Sequence, residues 1–417
     1  MIRILERAQV GRLLARKAAR LTEAEAVVKP ILEAVRQRGD RALMEYARQF
    51  DGLTRRSVRV PEAELAAARE SLAPEFRAAV ETAAANIRAY AERQMPRAWM
   101  REMRPGLRRG QGVRPLDTVA AYIPAGRYPL PSTILMTVLP AQVAGVPNIC
   151  VASPRVVKEV YGTAALVGVE RVFEMGGAQA IAAFAYGTRT VPKADRIVGP
   201  GNIYVAAAKK LLAGEGGSDF VAGPTEILII AAEGNPKYLA ADMLAQAEHD
   251  VDASAVLLTT SRKLAKAVAA EVERQLAVLP TAPVAAKSIA RNSAVVMVGS
   301  LEEAIEIANR FAPEHLSIPD ASLLDGVRHA GSVFVGPYSP EAAGDYASGP
   351  NHVLPTSGAA RQRGGLAVTD FLKVISVQEL SAAALGKLAP AITTLARAEG
   401  LEAHARSVEA RTGKEAL

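Results

Sequence analysis

The stretch Val119-Ala120-Ala121-Tyr122-Ile123-Pro124-Ala125-Gly126 decides the fold. Its apolar half reads as a buried strand, and the proline and glycine that follow end it in a turn. A helical stretch comes next, then a second buried run, Asn148-Ile149-Cys150-Val151-Ala152. The cycle repeats with a helix near 156–168, a strand at Val172-Phe173-Glu174, a helix over 179–186, a strand at Arg196-Ile197-Val198 and a helix over 204–212. Short strands alternating with helices at this spacing predict a parallel sheet. A second set opens at Glu226-Ile227-Leu228-Ile229-Ile230-Ala231, continues with a helix over 236–249, and adds strands at 255–259, 294–298 and 332–335. The fold class is α/β, with two parallel-sheet domains over 118–222 and 223–376.

Upstream of Asp117 the chain reads as helical, then basic. Thr22-Glu23-Ala24-Glu25 supplies an N-cap and an acidic first turn. Val27, Ile31 and Val35, then Leu43 and Tyr46 beyond Gly39, mark an apolar face. Pro61 and Pro74 each stand at a first helical position, and Pro96 closes the third helix. Residues 97–117 carry Arg97, Arg101, Arg104, Arg108, Arg109 and Arg114 among glycines and read as a hairpin or linker. The whole segment 1–117 is expected to pack on the second α/β domain. Residues 377–417 read as Ala-rich helix without a strand. That tail is too small for a domain, so it docks on its own body or on a partner.

Composition narrows the function classes. The 417 residues are 50% apolar and 22% charged, ordinary for a globular chain with a sizeable core. Cys150, the one cysteine, sits in a buried run, and a packed lone thiol fits a reducing cytoplasm. The amino terminus has no apolar signal region. The longest apolar stretch, 134–146, is too short to span a bilayer and contains Pro140. A net charge of +7 invites a nucleic-acid reading, but Trp99 is the one aromatic in the densest arginine stretch and no reader motif accompanies it. The expectation is a cytoplasmic protein with no nucleic-acid and no membrane partner.

Chemistry-bearing residues cluster in a few places. The loop Gly344-Asp345-Tyr346-Ala347-Ser348-Gly349-Pro350-Asn351-His352-Val353-Leu354-Pro355-Thr356 follows the strand Ser332-Val333-Phe334-Val335-Gly336. Its glycines and prolines argue against helix interior and central strand. A loop at the carboxyl end of an α/β strand is where such folds place chemistry. Gln246 and His249, at i and i+3 of one helix, can reach one point. Glu314 and His315, after Pro313, can supply water activation and a general base. His329 reads as structural. Glu399 and His404 do not share a face of a regular helix, and Gly400 sets Glu399 at or before the helix start. Gln246, His249, Asp345 and His404 would make a mixed N/O shell suited to zinc. No C-x-x-C or H-E-x-x-H spacing requires a metal. The turns Ile123-Pro124-Ala125-Gly126, Gly176-Gly177-Ala178-Gln179 and Gly199-Pro200-Gly201-Asn202 each follow a strand, and the last two open helices. That placement suits a pyrophosphate and equally a plain tight βα turn; none matches G-x-G-x-x-G.

These motifs share one order. The loop 344–356, with Ala312-Pro313-Glu314-His315-Leu316, Gly223-Pro224-Thr225-Glu226, Gln246-Ala247-Glu248-His249, Gly176-Gly177-Ala178-Gln179-Ala180, Gly199-Pro200-Gly201-Asn202 and the tail 399–404, resembles histidinol dehydrogenase, from about residue 20 onward. The resemblance implies two incomplete Rossmann-like domains, NAD on the 118–222 side, zinc and substrate on the 223–376 side, and a helical dimerisation tail over 377–417. It implies oxidation of L-histidinol to L-histidine through the bound aldehyde, with two NAD+ reduced, the last step of histidine biosynthesis. It implies one zinc ion per subunit, held by Gln246, His249, Asp345 and His404, which with His315 also meet the substrate. His315 is then the general base and Glu314 activates water; Thr225, His352 and Glu399 contact substrate; Tyr122, Gln179 and Asn202 lie near NAD. A homodimer is implied, with Glu399 and His404 reaching the partner's site. Two positions depart from the family: Thr225 stands where Ser is usual, and Arg127-Tyr128 where smaller residues are common. Relatives on this scaffold oxidise other small alcohols, such as sulfonated diols; His352 and Glu399 match the histidinol branch.

Overall fold

The computed structural model describes residues 2–11, 21–125, 128–155, 157–215, 217–219 and 223–413. Gly126 and Arg127, and with Arg127 its proposed bearing on cofactor fit, lie outside the described residues. In chain order the strands are β1 (Arg3–Leu5), β2 (Trp99–Arg104), β3 (Leu107–Pro115), β4 (Thr118–Tyr122), β5 (Asn148–Ser153), β6 (Arg171–Glu174), β7 (Arg196–Val198), β8 (Gly217–Ser218), β9 (Glu226–Ile230), β10 (Ser254–Thr259), β11 (Ala294–Met297), β12 (His315–Ile318), β13 (Ser332–Val335) and β14 (Leu372–Leu380). The chain divides into a larger unit, Met1–Gln94 with Leu116–Phe371, and a smaller one, Met95–Pro115 with Leu372–Leu417.

Two parallel sheets build the larger unit. One runs β6-β5-β4-β7-β8, the other β1-β11-β10-β9-β12-β13. Numbered from its own first strand, β4 or β9, each sheet has the order third, second, first, fourth, fifth. That is the order of a doubly wound dinucleotide-binding half. The strands read as continuous apolar runs because helices cover both faces; all five residues of β9 are buried. Among the described residues, no helix is long and apolar enough to cross a membrane.

Several expectations change. The N-terminal helices pack on the first α/β domain, not the second. Val28, Leu32 and Val35 of helix Leu21–Arg38 share a core with Tyr122, Phe173, Ile181 and Val205. The outer helices of that sheet present small residues there, among them Ala180, Ala183, Ala207 and Ala208, and so admit another helix at close range. Of the described N-terminal residues, only β1 joins the second sheet, beside β11. The buried stripe runs Ala24, Val28, Leu32, Val35, while Val27 is 55% exposed. In the smaller unit the arginine-rich stretch is a hairpin, β2–β3, and β14 pairs antiparallel with β3. Residues 377–380 are therefore strand, and the tail becomes helical only from Ala382, over Ala382–Ala398 and Glu402–Thr412.

Two elements near the chemistry also differ. Gly344, Asp345 and Tyr346 close a short helix, Glu341–Tyr346, that Pro340 introduces. His315 is the first residue of β12 rather than a loop residue.

Candidate active site

Strand register locates the site. His315 lies opposite Ile227 of β9 and Ser332 of β13. Thr225 and Glu314, one residue before their strands, therefore stand at the amino ends of β9 and β12. Helix Pro236–Ala247 leaves the carboxyl end of β9 and runs back, so Gln246 in its last turn and His249 beyond it return to the same edge. Helix Leu301–Phe311 ends on Ala312, in the left-handed region at φ 50°, and delivers Glu314. Helix Glu341–Tyr346 delivers Asp345. The carboxyl ends of helices carry negative partial charge, which favours a cation. The expected carboxyl-edge placement is thus reversed in the second sheet, because the polar side chains return on helix ends.

A hydrogen-bond chain orders the donors and acceptors. Glu314 Oε2 accepts from Thr225 Oγ1 at 2.5 Å and from the Glu226 amide at 2.9 Å. Thr225 Oγ1 in turn accepts from Gln246 Nε2 at 2.7 Å. Gln246 is fully buried, and its Oε1 has no hydrogen-bond partner among the described residues. His249 Nδ1 lies 2.9 Å from the Ala245 carbonyl oxygen. A carbonyl only accepts, so Nδ1 carries the proton and Nε2 keeps a lone pair, 3.9 Å from Asp345 Oδ2. By the same reasoning the Glu226 carbonyl, 3.3 Å from His315 Nδ1, holds a proton on Nδ1 and leaves Nε2 as the nitrogen that titrates. That atom is buried, without a hydrogen-bond partner, 3.7 Å from Asp345 Oδ1. The free oxygen of Gln246, Nε2 of His249 and the Asp345 carboxylate fit zinc in kind, and the second nitrogen of His249 is pinned as metal-ligating histidines require.

Electrostatics follow from burial. Desolvation opposes a charged His315, but Glu341, Glu314 and Asp345 outweigh it and push its pKa up to about 10. Burial raises Glu314, and hydrogen bonds from Thr225 and Glu226 oppose it. Asp345 is lowered, because His315, His352 and His249 overcome its burial. His352 is lowered by burial. Its Nδ1 meets the Asp345 carbonyl oxygen at 2.7 Å, and its Nε2 lies 3.3 Å from Thr133 Oγ1 on helix Pro131–Val143. His352 thereby ties the second sheet's loop to a helix of the first.

Glu341 escaped the sequence reading. It is 2% exposed, its carboxylate oxygens have no hydrogen-bond partner among the described residues, and Oε1 lies 3.9 Å from His315 Nδ1. Burial raises it to about 8. Ligand atoms of His315, Glu341 and Asp345 lie within 4.8 Å of one another. The available signal was Pro340-Glu341 as a helix start, one turn before Asp345. Glu399 and His404 belong to the smaller unit, at the end of helix Ala382–Ala398 and within helix Glu402–Thr412, and both are exposed.

The other sequence-derived residues gather at the carboxyl edge of the first sheet. Tyr122 ends β4, and its hydroxyl oxygen accepts from the Gly177 amide at 3.2 Å. Gln179 Nε2 donates to Asp51 Oδ2 at 3.0 Å. Asn202 caps helix Ile203–Leu211 by accepting from the Tyr204 and Val205 amides, and is exposed. A Cβ on Gly199, at φ 106°, would fall 2.2 Å from the Tyr122 carbonyl oxygen, so only glycine lets these turns approach. Tyr122 and Gln179 converge on the head of helix Gly177–Tyr186. The capping oxygen of Asn202 is committed, which leaves its amide NH2 for a ligand.

Two sheets of dinucleotide-binding order, with a buried acid–histidine pair at the edge of one, are the parts an α/β oxidoreductase needs. A sequence profile described as histidinol dehydrogenase matches residues 14–412. The histidinol dehydrogenase of Halalkalibacterium halodurans is 48% identical, over 92% of this chain and 93% of that protein. That of Geobacter sulfurreducens is 46% identical over 97% of each. The crystal structure of histidinol dehydrogenase from Elizabethkingia anophelis superposes with a TM-score of 0.93, at 35% identity and 98% coverage of both chains. The chain belongs to the histidinol dehydrogenase family.

Proposed function

We propose that this chain oxidises L-histidinol to L-histidine in two NAD+-linked steps, through L-histidinaldehyde that stays bound between them. The observation that carries the reading is His315: a buried imidazole beside Glu314, its Nδ1 held by the Glu226 carbonyl and its Nε2 facing Asp345 as the atom that exchanges a proton. A cation held by Asp345 would offset the carboxylates that keep the ring charged, so that the neutral imidazole acts as the base. In each step His315 Nε2 takes the proton from the carbon-bound hydroxyl as the hydride leaves. Glu314, raised by burial, is a stronger base than an exposed carboxylate and draws the proton from the water that adds to the aldehyde. Thr225 holds Glu314 and Gln246 in register. When bound, zinc would clamp the substrate's imidazole and amino nitrogens and NAD+ would accept the hydrides. Gln246, His249 and Asp345 would hold the metal, and Tyr122, Gln179 and Asn202 would meet the cofactor.

Those three donors do not complete a zinc shell, and they leave room for a further protein donor as well as for the substrate nitrogens. His404 and Glu399, exposed on the smaller unit, are the residues we assign to a partner's site in a homodimer. Mixing His404→Ala chains with His249→Ala chains tests this: activity above either parent supports exchange, and none argues against it. Cys150, a buried thiol, suits a cytoplasmic enzyme. The deciding assay is NADH formation from L-histidinol, with and without chelator, beside a panel of sulfonated and plain diols. No turnover of L-histidinol would overturn the reading.

A further inference from the structure

One residue at the first sheet's edge comes from outside that sheet. Residues Ala47–Asp51 wind as a π-helix, which Gly52 closes in the left-handed region at φ 70°. π-turns are rare and occur frequently at functional sites. This one delivers Asp51 to the head of helix Gly177–Tyr186. Asp51 Oδ2 accepts from the Gly176 amide at 2.9 Å and from Gln179 Nε2 at 3.0 Å. The next amide, Gly177, donates to the Tyr122 hydroxyl oxygen at 3.2 Å. The side chains of Asp51, Gln179 and Tyr122 thus form one hydrogen-bonded group with the two leading amides of this helix.

A carboxylate can only accept. The NH2 of Gln179 must therefore face Asp51, and its Oε1 is the atom left for a ligand. Gln179 is itself 1% exposed, so its amide has little room to turn by other means. We propose that Asp51 is a positioning residue for the cofactor: it locks the Gln179 amide so that Oε1 is presented as an acceptor to a hydroxyl or amino donor of the dinucleotide. This inference rests on the assignment of Gln179 to the cofactor site. The same bonds occupy the Gly176 amide with a carboxylate, so the pyrophosphate is not seated on that amide.

The test uses zinc-loaded enzyme and four chains: wild type, D51N, Q179A and the double variant. NADH binding is read by fluorescence, and KM is measured for NAD+ and for L-histidinol. Asn keeps the size of Asp but can also donate, so it frees the Gln179 amide to turn. We expect D51N to weaken NADH binding and raise KM for NAD+ by up to about tenfold, the upper end of the worth of one neutral hydrogen bond. KM for L-histidinol, zinc content and the melting temperature stay at wild-type values. The double variant binds NADH no worse than Q179A, because Asp51 acts through Gln179. Wild-type binding by D51N, or losses that add in the double variant, would overturn the proposal. So would a D51N chain whose two KM values rise together as its melting temperature falls. If D51N does not fold, Q179E reads the same contact from the other side, because a glutamate has no N–H to give Asp51 and, at a pH where both are ionised, the two carboxylates repel; cofactor binding at wild-type strength at that pH would again overturn it. Failure of the underlying assignment looks different: Q179A then binds NADH like wild type, and the inference falls with it.

Discussion

The two sheets of the larger unit share a strand order and present opposite edges. In the first, Tyr122, Gln179 and Asn202 stand at the carboxyl ends of the strands, under the amino ends of helices Gly177–Tyr186 and Ile203–Leu211. In the second, Thr225, Glu314 and His315 stand at the amino ends of β9 and β12, beside the carboxyl ends of helices Pro236–Ala247 and Leu301–Phe311. Helix amino ends are partly positive and suit a polyanionic cofactor; carboxyl ends are partly negative and suit a cation. The topology does not choose the edge. The charge of what each edge is proposed to hold agrees with the helix ends that surround it.

The largest effect should come from removing the base at the second edge. His315→Ala is expected to cut kcat by about 10²–10⁴ in both oxidations, the usual worth of a positioned base. Zinc content and KM for NAD+ should hold, because the first edge is untouched. A loss confined to one oxidation would separate the two steps and break the assignment. Asp345→Ala should come next, with zinc lost on dialysis as well as activity; full zinc retention, measured by metal analysis, would move the cation away from this edge. Glu314→Gln should act more narrowly. Histidinol oxidation should fall less than histidinaldehyde oxidation, and equal losses would argue against a separate water-activating role.

Legibility in the sequence divided along the same line. The strands of both sheets were readable as apolar runs because burial on both faces removes alternation. β1, β8 and β12 were the exceptions: the first two are three and two residues long, too short to show a pattern, and β12 opens on His315, where a run that starts with an acid and a histidine after proline does not look like a strand. The helix carrying Asp345 was hidden for a related reason, since Gly344 and the later Gly349-Pro350 weigh against helix although Pro340 starts one. Glu341 was lost with it. The docking of the N-terminal helices could not be read, because the small residues that receive them lie on helices more than a hundred residues away. Asp51 was missed because nothing in its own stretch marks it and its partners Gly176 and Gln179 are distant in sequence. Identities of the site residues came from motif order, whereas their edge and their hydrogen-bond partners needed the fold.

The smallest expected effect concerns pH, and it tests the second edge by itself. In metal-free protein the folded His315 is raised to about 10, above its unfolded value of 6.5. The proton it binds stabilises the fold fully below that unfolded value and is lost as pH rises toward the folded one. Glu341, raised to about 8 from 4.5, acts in the same direction, since a buried neutral carboxyl must ionise as pH rises. Both act in one direction, as a pair that shares its charge, so the melting temperature of chelated protein should fall between about pH 5 and about pH 9. Glu341→Gln, which cannot ionise, should flatten part of that slope. Added zinc should stabilise more at the alkaline end, because positive charge supplied by the metal replaces charge that protons supplied below. A chelated protein equally stable at both ends would mean that the His315, Glu341 and Asp345 side chains do not assemble before the cation arrives.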